Sequence, residues 1–444
     1  MEGNWYPNSP LWNVFLALAY RVAGLWGFFL LSAATIVLLL MFVVVLGRRL
    51  GSRPLPGLLG LLVVLAAAFP MLNARATLAV QVLLLLAVYL PLRLGAGARM
   101  RSSNALPVVL LAVAFGLSVL GNWIHLSFLV LAPALAVVWA VVWLLTPGLR
   151  PVRRAVLIAA GGVGWIAGLI LSPYGLVTGL DRTRAVQEAC QGLIVEWSSP
   201  FDANMPRVFL FMSAIAVLVA AGTGWWLSRR WRAGRPTPEL AALALIGVPA
   251  ALAGLFAARF IGVALLTLAP VAAAAATKLV DRLRARPPAW SPSVMRTRLR
   301  EYSTGRFWRV VLTATLVVLS PGVVLLAAQH SEPSERAILT GLPPGCHLFS
   351  TPDLGGSAVL LRPDALVWID GRADFFGRDM LLLGYDFYSG SAHDVVPSGA
   401  TCVLVDTAKD LTVGLRERLG ATSQWRLNAE DGTFELWLPT ESAG

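Results

Sequence analysis

The sequence predicts a mostly α-helical protein: a polytopic membrane helical bundle of about ten spans with a C-terminal small α/β soluble domain. Three observations carry this. Hydrophobic residues make up 57% of the 444 and charged residues 14%, a balance that ordinary soluble proteins do not have. The apolar residues gather in repeated runs of about 20, the length that crosses the bilayer core as a helix. The charge is also divided, since residues 1–330 hold 28 Lys and Arg against 8 Asp and Glu, and residues 331–444 hold 8 against 16. Two domains follow, a membrane part over 1–330 and a soluble part over 331–444.

Taken in order, the spans are expected at about 25–46, 55–72, 78–94, 106–120, 124–145, 155–171, 208–227, 240–257, 260–277 and 310–328. Lys and Arg concentrate in cytoplasmic loops. Twenty-two of the 28 basic residues fall after odd-numbered spans, and only Arg21, Arg75, Arg182, Arg184, Arg207 and Arg259 fall on the other side. The N-terminus, the 172–206 loop and the C-terminal domain are therefore expected outside. Arg outnumbers Lys 34 to 2, which together with abundant Ala, Gly and Pro reflects a GC-rich bacterial genome. The high pI is thus no sign of nucleic-acid binding.

Before the first span, PNSPLWNVFLALAYRVAG reads as a surface helix capped by Asn8 or Ser9, with Pro10 in its first turn, that enters the first span at Gly24. Met1 is not expected to begin a cleavable signal peptide. An outward N-terminus with no preceding span leads to the expectation that at least one span lies upstream of this sequence.

The outward turns hold the unusual polar residues. Arg75 lies in LNARAT, and Arg259 in a tight turn between the eighth and ninth spans. A cation at membrane depth is costly and survives where it lines a wet cavity or meets an anion, although snorkelling to the interface explains either one alone. GNWIHLSF puts Asn122 and His125 three apart, on one helical face; a lone His there is also a common packing residue. Gly161, Gly164 and Gly168 give the sixth span a small-residue face for close packing.

The long outward loop, SPYG through an amphipathic segment to EWSSP, holds Asp181, Glu188, Glu196 and Asp202. Glu196 beside Trp197 is a candidate base, because partial burial raises a carboxyl pKa toward a useful range. The bland alternative is a solvated Glu next to an interfacial Trp.

In the C-terminal domain, runs at 347–350, 366–370 and 402–406 are strand-like, and 354–361, 378–388 and 411–419 helix-like. The alternation suggests a parallel α/β unit closed by a hairpin over 425–438 that turns at Asp431-Gly432. The strand VWID runs into GRADFFG, which sets Asp370, Arg372 and Asp374 at a strand's carboxyl end, where open α/β sheets bind ligands; a turn-stabilising Asp/Arg network is the alternative. Cys346 and Cys402 each open a strand, so they can pair only if those strands are neighbours. No metal-ligand spacing, phosphate loop or serine-hydrolase elbow is present, and the sequence names no cofactor.

The order of Asn122 and His125, SPYG, EWSSP, Arg259-Phe260 and DLGGSAVLLRPDALVWIDGRADFFG resembles a family of bacterial polytopic membrane proteins grouped with the GT-C type glycosyltransferases. The resemblance covers most of the chain from Pro7 onward. It implies use of a polyprenyl-phosphate-linked sugar at the outer leaflet of the bacterial cell membrane. It also implies an acidic base in the first external loop, which here is missing or cut short, with Glu2 its only acid. The family's turn usually continues from the His into Gly, where this chain has Leu126 and Ser127.

Two function classes follow. One is a lipid-linked-sugar glycosyltransferase with Glu196 and His125 as catalytic residues and Arg75, Asn122, Arg259, Trp197, Asp370, Arg372 and Asp374 binding substrate. The other is a non-catalytic scaffold or binding protein of the envelope. A transporter fits less well, because no Asp, Glu or Lys lies mid-span.

Overall fold

The structure is a computed structural model that describes residues 8–68, 75–96, 103–190, 197–202, 205–285, 333–370 and 373–440. The chain forms two compact units, each taken by itself below. The apolar stretch 310–328, expected as the tenth span, lies outside the described residues.

The first unit is a helical bundle. Helix α1 (Pro10–Ala23) begins with Pro at its first position, where the missing N–H costs nothing. It buries Trp12 and leaves Val14, Phe15, Leu18 and Val22 exposed, the apolar face of a helix that lies in an interface. Gly24, at φ 57°, breaks it from α2 (Leu25–Arg49). The two helices pack so closely that a Cβ on Gly27 would lie 1.9 Å from the Ala19 carbonyl oxygen.

The bundle continues with α3 (Pro54–Ala68), α4 (Ala76–Ala96), α5 (Leu106–Ile124), α6 (Phe128–Leu145) and α7 (Pro151–Ala167), which ends in a 3-10 turn to Leu171. After α8 (Leu176–Cys190) come α9 (Arg207–Arg232), α10 (Pro238–Ala253) and α11 (Arg259–Ala285). Seven of the described helices are long and apolar enough to cross a membrane: α2, α4, α5, α6, α7 with its 3-10 extension, α9 and α11. The expected eighth span is shorter than the sequence implies, because α10 has 16 residues. At 1.5 Å per residue it does not reach the ~30 Å of the hydrocarbon core. Such short helices survive because neighbours cover them, and α10 is buried from Leu240 to Ala244 and again at Ile246, Gly247, Ala250 and Ala251.

Glycine makes the bundle tight where the sequence implied it. A Cβ on Gly164 would come 2.5 Å from the Leu111 carbonyl oxygen, one on Gly168 2.5 Å from Ser118 Cβ, and one on Gly161 2.9 Å from the Trp139 ring. The glycine face of α7 thus seats against both α5 and α6. Fully buried Trp139 meets Trp165 edge to face at 5.6 Å and donates its indole N–H to the Ala87 carbonyl at 2.8 Å, so this indole has its polar atom satisfied.

Contacts between helix termini define two ends of this bundle. At one end Arg49 reaches the Leu92 carbonyl and Glu239, and Arg53 pairs with Asp281 at 2.9 Å. At the other, the Leu126 N–H donates to the Asn8 carbonyl and the Ala258 N–H to the Ser198 carbonyl.

In the second unit, α12 (Pro333–Thr340) precedes a five-stranded sheet. Strands β1 (His347–Ser350), β2 (Leu366–Val367) and β3 (Cys402–Asp406) are parallel, and β4 (Trp425–Asp431) and β5 (Phe434–Pro439) form an antiparallel hairpin, in the order β2-β1-β3-β5-β4. Helices α13 (Pro352–Leu361), α14 (Ala373–Ser389) and α15 (Val413–Ala421) fill the connections. This is the small α/β unit expected. Asp431 pairs with Phe434, so the turn residues are Gly432 and Thr433 rather than Asp431 and Gly432; Gly432 takes φ 61°, which Asp431 would adopt less readily.

Because β1 and β3 are neighbours, Cys346 and Cys402 come together with Cα atoms 6.0 Å apart and form a disulfide. Of the strand expected over 366–370, only Leu366 and Val367 join the ladder before the Trp368 N–H donates to the Leu348 carbonyl. In α13, a Cβ on Gly355 would lie 2.1 Å from the Ile369 carbonyl oxygen, which gives DLGGS a packing role.

Candidate functional site

Three helix termini meet at the Asn8 end of the bundle. Helix α5 stops at His125, whose backbone is extended (φ −162°, ψ 132°) and whose N–H still bonds the Gly121 carbonyl. Gly121 is required one turn earlier, since a Cβ there would run into the Phe128 ring at 2.2 Å. The chain then turns within three residues into α6.

Ser127 fixes the imidazole. Its backbone N–H donates to His125 Nδ1 at 3.0 Å, and its hydroxyl lies 2.9 Å from the same nitrogen. An Nδ1 that accepts a backbone N–H carries a lone pair, so the neutral ring bears its proton on Nε2. Burial by the surrounding helices, and secondarily the positive charge of Arg259, push the His125 pKa from 6.5 down to about 4. His125 is therefore neutral at physiological pH and offers an N–H.

Arg259 begins α11, and its guanidinium carbon lies 3.9 Å from the centroid of the Trp197 ring. The Trp197 loop is built to make that contact. Ser199 donates its N–H to the Asp202 carboxylate at 3.1 Å and its hydroxyl to the Leu255 carbonyl at 3.0 Å, while the Ser198 carbonyl accepts the Ala258 N–H. SSPFD is thus a side-chain-capped turn clamped onto the loop before α11. Asp202, counted among the loop's candidate acids, is engaged in holding it.

Asn122 is fully buried, its amide N–H donating to the Ser118 carbonyl at 2.7 Å while its Oδ1 has no hydrogen-bond partner among the described residues. Beside it, Trp123 donates to the Leu171 carbonyl at 3.0 Å, which ties the NxxH turn to the start of SPYG. Ser172, the first residue of SPYG, is buried with its hydroxyl unpartnered. Arg75 is exposed at the start of α4, at this same end. Glu196, the expected base, lies outside the described residues.

Of the sequence's candidates, His125, Arg259 and Trp197 are brought together, Asn122 lies one turn from His125 on the same helix, and Arg75 shares the end of the bundle. Reasoning from sequence missed Ser127 and Ser199, and with them the part that Asp202 plays in the turn. The S-x-x-D spacing of Ser199 and Asp202 was a readable turn signal; nothing in the sequence marks Ser127 as a partner of His125.

In the C-terminal unit, Asp370 is buried, Arg372 lies outside the described residues, and Asp374 falls in the first turn of α14 with its side chain outside the description. At the carboxyl ends of the parallel strands, Lys409 bridges Asp353 at 2.9 Å and Asp406 at 4.0 Å, and Tyr388 donates to the Ser350 carbonyl at 2.8 Å. Among the described residues no group of His, Cys, Asp and Glu could hold a metal ion.

The fold defines a multi-pass, mostly helical membrane protein with a small C-terminal sheet domain. No protein-family model matches the chain, and no curated protein matches it in sequence.

Proposed function

We propose that this protein is a glycosyltransferase-like membrane protein that binds a polyprenyl-phosphate-linked sugar at the outer face of a bacterial cell membrane. The observation that carries the reading is the meeting of His125, Arg259 and Trp197. Stacking on an indole orients a guanidinium without using its in-plane N–H donors. A neutral Nε2–H beside it adds a second donor, in surroundings of low polarity where charge-assisted bonds are strong. Arg259 would hold the carrier phosphate, His125 would donate to the phosphate oxygen that leaves the sugar, and Arg75 would add a second cation. Asn122 and Trp197 would line the site, and Glu196 would take the proton from the acceptor hydroxyl as it attacks the anomeric carbon. In the C-terminal domain, Asp370, Arg372 and Asp374 would bind the acceptor or sugar.

The finer topology belongs to the same reading. Counting α3, α10 and the 310–328 run as crossings gives about ten, with the C-terminal domain outside. Two observations support it. The Arg49, Arg53 and Lys278 termini share one end of the bundle, as cytoplasmic positive charge would, and the Cys346–Cys402 disulfide suits an oxidising compartment.

One observation favours the second reading, a non-catalytic binding or scaffold protein. Asp202 is engaged by Ser199, and the basic nitrogen of His125 is engaged by Ser127, so neither serves as a base. Incubating the full-length protein in liposomes with a radiolabelled polyprenyl-phosphate sugar separates the readings. Discharge of the carrier supports the enzyme, and retention of intact carrier supports the binding protein. No retention above that of polyprenol lacking the phosphate would refute the enzyme and any carrier-binding role, and leave the scaffold.

A further inference from the structure

The opposite end of the bundle holds a cluster of cations that the reading above does not use. Helices α9 and α11 pack side by side, with Trp226 and Arg230 one turn apart on the first, and Lys278 and Arg282 one turn apart on the second. The Lys278 ammonium sits over the Trp226 ring, 3.2 Å from its centroid. Arg230 donates from Nε to the Thr237 hydroxyl at 3.2 Å. The charges of Arg230 and Arg282 both act on Lys278, like on like.

No carboxylate among the described residues answers these three. The two acids at this end are already paired, Glu239 with Arg49 at 3.4 Å and Asp281 with Arg53 at 2.9 Å. The hydroxyl of Thr237 and the ring of Trp226 orient two of the cations but bring no charge to balance them. Repulsion within such a group is only weakly screened beside a low-dielectric membrane, and an anion placed among the three relieves it.

The position says which anion. Trp225, Trp226 and Trp231 fall in the last two turns of α9, which is the belt where aromatic rings meet lipid headgroups. Of the seven long apolar helices α9 is the least covered by protein, with 28% of its apolar window buried, and Trp225 and Trp231 are exposed at this level. We propose that Lys278, Arg230 and Arg282 form a binding site for the phosphate of an anionic membrane lipid, seated against Trp226. Arginine forks grip a phosphate bidentately while the lysine acts as a point charge.

The test uses the full-length protein in nanodiscs of phosphatidylcholine with a minor fraction of phosphatidylglycerol, and native mass spectrometry to count retained lipid. The wild type is expected to keep phosphatidylglycerol in preference to phosphatidylcholine. The double variant Lys278→Gln/Arg230→Gln should lose that preference by roughly ten- to a hundredfold in apparent affinity. Arg230→Gln alone, at an exposed position that the fold tolerates, should weaken it several-fold. Arg232→Gln, on the other face of α9, should leave it unchanged. Equal retention by wild type and double variant overturns the site, as does an equal loss from Arg232→Gln, which would mean diffuse attraction to a basic surface. Displacement of the lipid by millimolar inorganic phosphate would overturn the lipid as the natural occupant.

Discussion

The guanidinium of Arg259 rests on the ring of Trp197, 3.9 Å from its centroid, although the two residues lie on either side of two helices of the bundle. The contact depends on backbone as much as on side chains, because the Ala258 N–H bonds the Ser198 carbonyl directly behind it. A cation–π pair in such surroundings contributes about 1–2 kcal/mol. Trp197→Ala should therefore lower thermal stability modestly and weaken phosphate binding indirectly, while Trp197→Phe, which keeps a ring, should retain most of both. Equal losses in the two variants would show that the ring face is not what Arg259 uses.

The His125 environment makes a statement about pH. Its pKa is lowered from 6.5 to about 4 in the folded protein, so between these values the unfolded chain binds more protons than the native one. Stability then falls as pH drops from about 6.5 and levels off below about 4, with at most ~3 kcal/mol involved. Melting temperatures of the wild type and His125→Asn, measured across this range, should diverge. Parallel curves would contradict the neutral, buried imidazole.

Close packing of α7 gives a paired prediction. Gly164→Ala places a Cβ 2.5 Å from the Leu111 carbonyl oxygen, whereas Gly162→Ala meets nothing within 4 Å. The first should destabilise the protein by about 1–3 kcal/mol and the second should be neutral or slightly stabilising. Detergent-solubilised thermal unfolding distinguishes them, and a reversal would mean that α5 and α7 are not in contact.

The disulfide and the topology are tested together. Thiol labelling of denatured, unreduced protein should find one reactive cysteine of the three, leaving Cys190 as the labelled one. Replacing Cys346 and Cys402 by Ser should cost roughly 2–4 kcal/mol in the C-terminal domain. A reporter fused after Pro439 should be active only outside the cytoplasm, and one fused near Arg296 only inside. The opposite pattern would reverse every assignment of the outer face.

What could be read from the sequence was whatever depends on periodicity and on neighbours along the chain. Apolar runs marked most of the helices, Pro10 and Gly24 marked the ends of α1, and short apolar runs marked β1 and β3 ahead of the 425–438 hairpin. Span length was less legible at α10, since an apolar run reads the same whether lipid or other helices cover it. In the candidate site, His125 and Arg259 stood out because membrane segments discourage such residues. Their proximity did not, because it arises from the packing of α5 against elements far away in the chain. Ser127 and Asp202 were legible only as a turn, and their partners appear only in three dimensions.

The most direct test of the proposed function is the affinity of the full-length protein for a polyprenyl-phosphate sugar, compared between wild type and Arg259→Ala. Loss of one charge-assisted contact of about 1.5–3 kcal/mol predicts binding weaker by roughly ten- to a hundredfold, with the melting temperature nearly unchanged. Undiminished affinity in a folded Arg259→Ala protein would contradict the account.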